Sequence, residues 1–503
     1  MDQANNTASL SKSKFVQGLQ CHKALYLQIH HPELADPVTP EREALFRTGY
    51  EVGELAQSLF PGGVVIPYDP NDYDGQIART RAEIEKGTDV LYEAAFSYDG
   101  VFVKVDILRQ GKAGWELYEV KSSASVQPYH IPDIAVQYYV LTGAGIEISS
   151  AHLVHINGEF VKNGAIQPDK FFVLEDMTGT VQDMEDFVRT EIGKMKVMVS
   201  GGMPVIDIGP YCKTPFDCNF YGYCWQRVPE NSVFSLRNKG VDKFALYRNG
   251  IIRLQDVPLD ILNSRQRQQA EFFLNEKEFA DRKALKSFLE NVRYPIYFLD
   301  FETFATTIPL YDGTSPFQQV PYQYSLHYLE CEGAELGHHE FLARPNVDPR
   351  EEVAANLCLR IPDDACVLAF NAPFETRILR KLADASPRFK KKLERIIDNA
   401  IDLAVPFRSR YVYHWEMNGS WSQKVVLPLL ANDLSYKGME VANGSMAMDA
   451  YFAMCASRDP LEIARIRENL LKYCALDTLG MVRILERLRA IAEGGKITGY
   501  NQE

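Results

Sequence analysis

VKVDILRQGKAGWELYEVKSS, residues 103–123, is the stretch on which the fold turns. Its β-rich composition predicts two neighbouring strands, 101–108 and 115–120. Side chains alternate between the faces of a strand, so Glu119 and Lys121 share one face while Val120 points to the other. Asp106, on the neighbouring strand, reaches that same face. Two carboxylates and a lysine so placed have a chemical use. Carboxylates hold Mg²⁺ or Mn²⁺ with water positions left open. The metal lowers the pKa of a bound water, and the lysine orients that water or steadies charge on a phosphate. An ordinary surface hairpin bearing Glu and Lys is the plainer alternative.

Working outward, a strand is expected over 92–96, joined to 101–108 by an Asp99-Gly100 turn, a strong hairpin signal. A helix over 133–141 carries Gln137, Tyr138 and Tyr139, and a strand follows at 152–156. Apolar residues recur at helical spacing over 46–60. This is a mixed α/β domain, and 503 residues leave room for about three domains. The boundaries are drawn at 1–228 for the first, 229–290 for a charged, Gln-rich helical connector, and 291–503 for a second α/β domain. The net charge of −13 argues against a protein that coats nucleic acid non-specifically, which takes an excess of Lys and Arg. It leaves room for a nuclease, whose metal site is itself built from carboxylates and whose basic groove is local. No apolar run reaches the 18 residues of a membrane span. The first residues lack the apolar core of a signal peptide, so a cytoplasmic location is expected.

The series VDIL, ELYEVKSS and DIAVQYYVL resembles the core of PD-(D/E)XK nucleases of the RecB type. That resemblance implies a restriction-endonuclease-like fold, with Asp106 and Glu119 as metal ligands and Lys121 as the catalytic lysine. It also implies that Gln137 sits near the nucleic-acid backbone. Many relatives carry a metal-binding His on the earlier helix, after a Gly. Here the run is Gly49-Tyr50-Glu51-Val52-Gly53-Glu54, which leaves Glu54 as the substitute oxygen ligand or as a solvated residue.

Nine cysteines in a chain expected to stay reduced need an explanation other than disulfides. Cys331, Cys358, Cys366, Cys455 and Cys474 are scattered and read as core residues. Cys212, Cys218 and Cys224 are spaced C-x5-C-x5-C. Six residues turn a helix by ~600°, so these thiols share no helical face. Pro215, Asp217, Asn219 and Gly222 favour a loop wrapped around a point. Cys21 is the candidate fourth ligand of a metal or cluster site. Zinc suits four thiolates equally, although its usual C-x2-C knuckles are missing. One Cys near the N-terminus and three after the nuclease core is similar to the layout of Fe–S nucleases of the RecB family, including the CRISPR-associated adaptation exonuclease. The resemblance implies a structural [4Fe–4S] cluster.

A second acidic set lies downstream. IYFLDFET puts Asp300 and Glu302 on one face of a buried strand. LAFNAPFETRILRKL sets Asn371 and Glu375 where a strand passes into a helix. LLKYCALDTLGMVRIL sets Tyr473 and Asp477 four apart on one helical face. Four such carboxylates build a two-metal site, and Tyr473 would orient the attacking water. In this order they resemble the DEDD exonucleases of the ribonuclease H-like (DnaQ-like) fold, in the variety with a Tyr-x3-Asp third motif. The usual second motif ends in Asp where this chain has Glu375, and Asp402 is a further candidate for that role. Lys424 and Lys437 are read mainly as solvated residues, His338 and His339 as surface, and His414 has no assigned role.

The order of motifs looks like a bacterial family of fused nucleases. The expectation is a metal-dependent nuclease acting on nucleic acid, DNA more than RNA, in repair, recombination or defence. The competing expectations are a nucleic-acid-binding or assembly protein with inactive sites, and a phosphoesterase acting on nucleotides.

Overall fold

The computed structural model describes residues 10–498. The chain divides into two compact units. One is the chain up to Val228 together with Thr306–Phe317, and the other is Pro229–Ala305 together with Gln318 onward. Both are mixed α/β. Residues 229–290, read as a connector, cluster with the second unit.

In the first unit the strands are β1 (Leu10–Ser11), β2 (Val64–Val65), β3 (Val90–Tyr98), β4 (Val101–Gln110), β5 (Trp115–Lys121), β6 (Ile148–Ile156) and β7 (Phe172–Asp176). They form one sheet in the order β2-β3-β4-β5-β6-β7, with β1 pairing alongside β4. β3, β4 and β5 run antiparallel, whereas β5 and β6 are parallel and joined by the helix His130–Gly143. The β3–β4 turn forms as the sequence predicts. Asp99 and Gly100 both take positive φ (47° and 65°), which matches the twist of a two-residue hairpin. Val103, Val105 and Leu117 pack under the helix His130–Gly143, while Ile107, Tyr118 and Val154 fill the opposite face.

Simple alternation fails at one place on β4. Val105 faces the first core but Ile107 the second, so the pleat changes phase at Asp106. Directly across on β3 the same change occurs at Glu93, which sits at φ 57°. Such an irregularity re-aims a side chain out of the regular pattern. The Asp106 carboxylate takes over a ladder bond, accepting the Val120 N–H at 2.7 Å.

The second unit holds β8 (Glu278–Ala280), β9 (Ile296–Phe304), β10 (Val320–Leu329), β11 (Gly337–Leu342), β12 (Cys366–Ala369), β13 (Ala400–Asp402) and β14 (Val412–His414). Its main sheet runs β11-β10-β9-β12-β13, and β8 pairs with β14. β10 is antiparallel to both neighbours, while β9, β12 and β13 are mutually parallel. β9 is buried along almost its whole length, as a central strand covered on both faces must be. Ile296 and Phe298 face a core built with the helices Gln423–Leu430 and Pro460–Ala492. Tyr297, Leu299 and Phe301 face the helices Arg350–Arg360 and Ala372–Ala385. Residues 229–290 are helical as expected over Lys243–Arg248, Ser264–Leu274 and Arg282–Leu289, but they also contribute β8. Val233, Leu246, Leu254 and Ala270 give this region a small core of its own. Among the described residues no helix is long and apolar enough to cross a membrane.

Candidate metal centres

Period two along β9 carries Asp300 and Glu302 onto the face of Ile296 and Phe298, beyond the end of that apolar cover. The long helix Pro460–Ala492 packs on this face and delivers Asp477. Ligand atoms of Asp300, Glu302 and Asp477 lie within 4.8 Å of one another. Glu302 and Asp477 are buried and Asp300 half-buried.

Glu375 enters from the first turn of the helix Ala372–Ala385. Asn371 makes the entry tight by taking a left-handed conformation (φ 76°), which Asn tolerates better than most residues. The Glu375 carboxylate is outside the 4.8 Å group but close enough to repel charge on Asp300. It is buried, and its Oε2 has no hydrogen-bond partner. Asp402 is engaged otherwise. Its Oδ1 accepts the Asn371 and Ala404 N–H groups, both at 3.0 Å, and its Oδ2 pairs with Arg408 at 2.8 Å.

The acidic set is short of positive charge. Burial, followed by repulsion from neighbouring carboxylates, pushes Glu302 up to about 8, and the Asp300 carboxyl rises well above its ordinary range for the same reasons. Glu375 rises to about 8, again chiefly through burial. Asp477 rises only to about 6, because hydrogen bonds from Tyr436 and Tyr473 and the charge of Lys424 offset part of the effect. Tyr436 donates to Asp477 Oδ1, and Cys474 Sγ sits 3.8 Å from Asp300 Oδ2. Lys424, read from sequence as mainly solvated, stands over both tyrosine rings, 5.3 Å from Tyr436 and 5.5 Å from Tyr473. Its Nζ donates to the Ala442 carbonyl at 2.7 Å. Lys437 is exposed.

Beneath Asp477, Thr478 Oγ1 contacts Ser325 Oγ at 2.6 Å and His327 Nδ1 at 2.7 Å, tying the long helix to β10. His338 is exposed, as the sequence reading expects, and from the surface it reaches Ser325 at 2.9 Å and stacks on His327 with centroids 4.2 Å apart. His414 is buried, and its Nδ1 accepts the Glu416 N–H.

In the first unit Glu119 lies past Leu117 on the helix-covered face of β5 and is buried. All its acceptor capacity is engaged. Lys12 Nζ donates to Oε1 at 2.9 Å and Oε2 at 3.1 Å, Lys121 Nζ to Oε1 at 2.7 Å, and Gln137 Nε2 to Oε2 at 2.8 Å. Lys121 also pairs with Asp133, one helical turn before Gln137. Burial works against both ammonium charges, yet the carboxylates outweigh it. Glu119, Asp133 and Asp106 hold Lys12 well above its ordinary range, and Asp133 and Glu119 do the same for Lys121. Glu54 is exposed on the helix Pro40–Gln57 and has no side-chain partner among these residues. Lys12 and Asp133 were not read from the sequence. Asp133 had a signal, being i−4 to Gln137 on one helical face; Lys12 had none.

The four cysteines of the first unit line one pocket, with room for about a single water-sized sphere, together with Lys23, Tyr211 and Phe220. Cys21 separates the helices Lys12–Gln20 and His22–His30. Gln20 Nε2 fastens that junction to the loop by donating to the Tyr211 and Phe216 carbonyls, each at 2.7 Å. The Gly209 and Phe220 N–H groups point at Cys212 Sγ and Cys218 Sγ, each at 3.5 Å. Burial pushes the thiols of Cys21 and Cys224 up, and that of Cys218 to about 11. Of the other five, Cys366 and Cys474 are buried and Cys358 and Cys455 partly so. Cys331 is exposed, so it is not a core residue.

Residues 297–422 match the model of a family described as a domain of unknown function (DUF2779). That span holds Asp300, Glu302, Glu375 and Asp402 and stops before Tyr473 and Asp477. The chain is 25% identical over 238 residues to an uncharacterized protein, MG366, of Mycoplasma genitalium, and likewise to its homologue in Mycoplasma pneumoniae. Each alignment covers 42% of this chain and 35% of the relative, so the chain spans about a third of their length.

Proposed function

We propose that the protein is a divalent-metal-dependent nuclease whose principal hydrolytic centre is the acidic set of the second unit. One observation carries this reading. Asp300, Glu302 and Asp477 converge within 4.8 Å, with Glu375 at their edge, buried and holding an unpartnered oxygen. Buried carboxylates in such numbers are costly without a cation, and an all-oxygen set suits Mg²⁺ or Mn²⁺. A metal held by these four residues would activate a water and stabilise the charge of the phosphodiester. Tyr473, beside Asp477 on the same helical face, would orient that water. Lys424, at the rim over Tyr436 and Tyr473, is placed to attract a phosphate.

The strand order β11-β10-β9-β12-β13, with only β10 reversed, supports a ribonuclease H-like fold for this unit and the 3′–5′ exonuclease reading. In the first unit, the β3–β4–β5 meander, the helix His130–Gly143 and parallel β6 support the restriction-endonuclease-like reading. Asp106, Glu119, Lys121 and Gln137 gather there. DNA is favoured over RNA only by the likeness to RecB-type nucleases.

Four cysteines lining one pocket support a metal or cluster site. Four thiolates suit zinc and a [4Fe–4S] cluster alike, and the likeness to Fe–S nucleases of the RecB family favours the cluster. The cluster would hold the junction at Cys21 against the loop 212–224.

The test is hydrolysis of end-labelled single-stranded DNA and RNA with Mn²⁺, by the full chain and by D300A and E119A separately. D300A should abolish the principal activity. Undiminished hydrolysis by D300A would overturn the assignment of the second unit.

A further inference from the structure

The two acidic sites are solved differently. The second unit gathers carboxylates around a single rim lysine. The first places two ammonium groups on one buried carboxylate. Lys12 spans both oxygens of Glu119, at 2.9 and 3.1 Å, much as a bidentate metal ligand is spanned by its ion. Lys121 and Gln137 complete the carboxylate's bonding. We propose that Lys12 is a resident counter-cation of the first unit's acidic site, one that a divalent metal must displace from Glu119 before that site becomes competent. The inference rests on reading Asp106, Glu119 and Lys121 as a metal-dependent hydrolytic site.

Lys12 is fixed by backbone architecture, not by its own side chain alone. It is the first residue of the helix Lys12–Gln20, capped by the Ser11 hydroxyl, which accepts the Lys14 N–H. Ser11 and Leu10 are anchored in turn, pairing with Phe102 and Val101 of β4. At its far end the helix stops at Cys21, in the cysteine pocket, where Gln20 grips the loop. Anchoring the helix at both ends fixes the Lys12 backbone beside Glu119, so only the rotamers of its side chain have to be ordered to make the pair. Displacement need move only the four-carbon side chain, which is 24% exposed to solvent.

The experiment uses the full chain with the second unit's site disabled by D300N. Mn²⁺ binding is followed by calorimetry and by the loss of the free-ion paramagnetic resonance signal. D300N should bind Mn²⁺ weakly. D300N/K12M should bind one ion at least tenfold more tightly, and D300N/K12M/E119Q should lose it. D300N/K12R, which keeps the charge, should resemble D300N and shows that the position tolerates substitution. A damaged fold loosens a metal site, so tighter binding is not a structural by-product. Equal, measurable affinity in D300N and D300N/K12M would overturn the role of Lys12 while leaving the metal site standing. No binding in either would overturn the metal site itself, and the proposal with it.

Discussion

Glu302→Gln is expected to make the metal-free protein more stable at pH 8 and less able to gain from metal. The Glu302 carboxyl sits at about 8 against an ordinary 4.5, through burial and then repulsion from Asp477, with Lys424 pulling the other way. In the folded chain it keeps its proton to higher pH than in the unfolded chain. Stability is therefore full below pH 4.5 and drains away as pH rises to about 8, because the unfolded state releases its proton first. A displacement of that size corresponds to a ceiling of roughly 5 kcal/mol. Asp300 and Asp477 share the repulsion and relax with it, so one substitution should recover about 2 kcal/mol, or roughly 4–8 °C in melting temperature for a unit of this size. The assay is thermal melting in EDTA at pH 5 and pH 8, then with Mn²⁺. At pH 5 the two proteins should melt nearly together. At pH 8 in EDTA the variant should melt higher. At Mn²⁺ one hundred times its dissociation constant the wild type gains about 2.7 kcal/mol, and the order should reverse. A variant that melts lower in EDTA at pH 8, or a wild type indifferent to pH between 5 and 8, would refute the reasoning.

Three further outcomes are expected. Tyr473→Phe should lower Mn²⁺-dependent hydrolysis about 100-fold, the scale of a lost acid–base or water-orienting group, with Mn²⁺ affinity within about twofold of wild type; a large fall in affinity would make Tyr473 a ligand support instead. Cys218→Ser, purified without oxygen, should lose the visible absorption and the iron and sulfide content expected of the wild type, and zinc in a colourless wild type would defeat the cluster. Thr478→Val should destabilise the second unit by about 1–3 kcal/mol in chemical denaturation, since it strands the buried His327 Nδ1 and leaves Ser325 only its bond to His338; no change would show that the link from the long helix to β10 is dispensable.

What the sequence revealed of the sites follows from how local each geometry is. Glu119 with Lys121, and Asp300 with Glu302, were legible because the period of a strand alone puts residues two apart on one face. Tyr473 and Asp477 were legible for the equivalent helical reason. Asp106 was only half legible, since its aim depends on a change of pleat phase shared with Glu93, which no alternation pattern announces. Tyr436 sits in an irregular segment whose path is set by packing, so its bond to Asp477 left no trace in the sequence. Lys424 looked like a solvated lysine because its environment is made by two tyrosines, twelve and forty-nine residues further on. Lys12 and Glu119 are 107 positions apart, and only the assembled sheet brings them together. The sheet order of each unit, likewise, is a matter of long-range pairing that composition and periodicity leave open.

The segment Thr306–Phe317 leaves the second unit between β9 and β10 and belongs to the first. There Lys162 exchanges backbone bonds with Thr314 and Gly313 and pairs with Asp312 at 2.9 Å. The chain therefore passes from one unit to the other three times, and a gene cut after codon 228 yields neither half intact. The front half forfeits a piece of its own surface, and the back half retains a hairpin whose tip has lost its seat. Dissection of the two proposed sites is better done by point substitution within the whole chain than by expressing the halves. By the same logic, lineages carrying only one half would have to show how this borrowed loop was replaced.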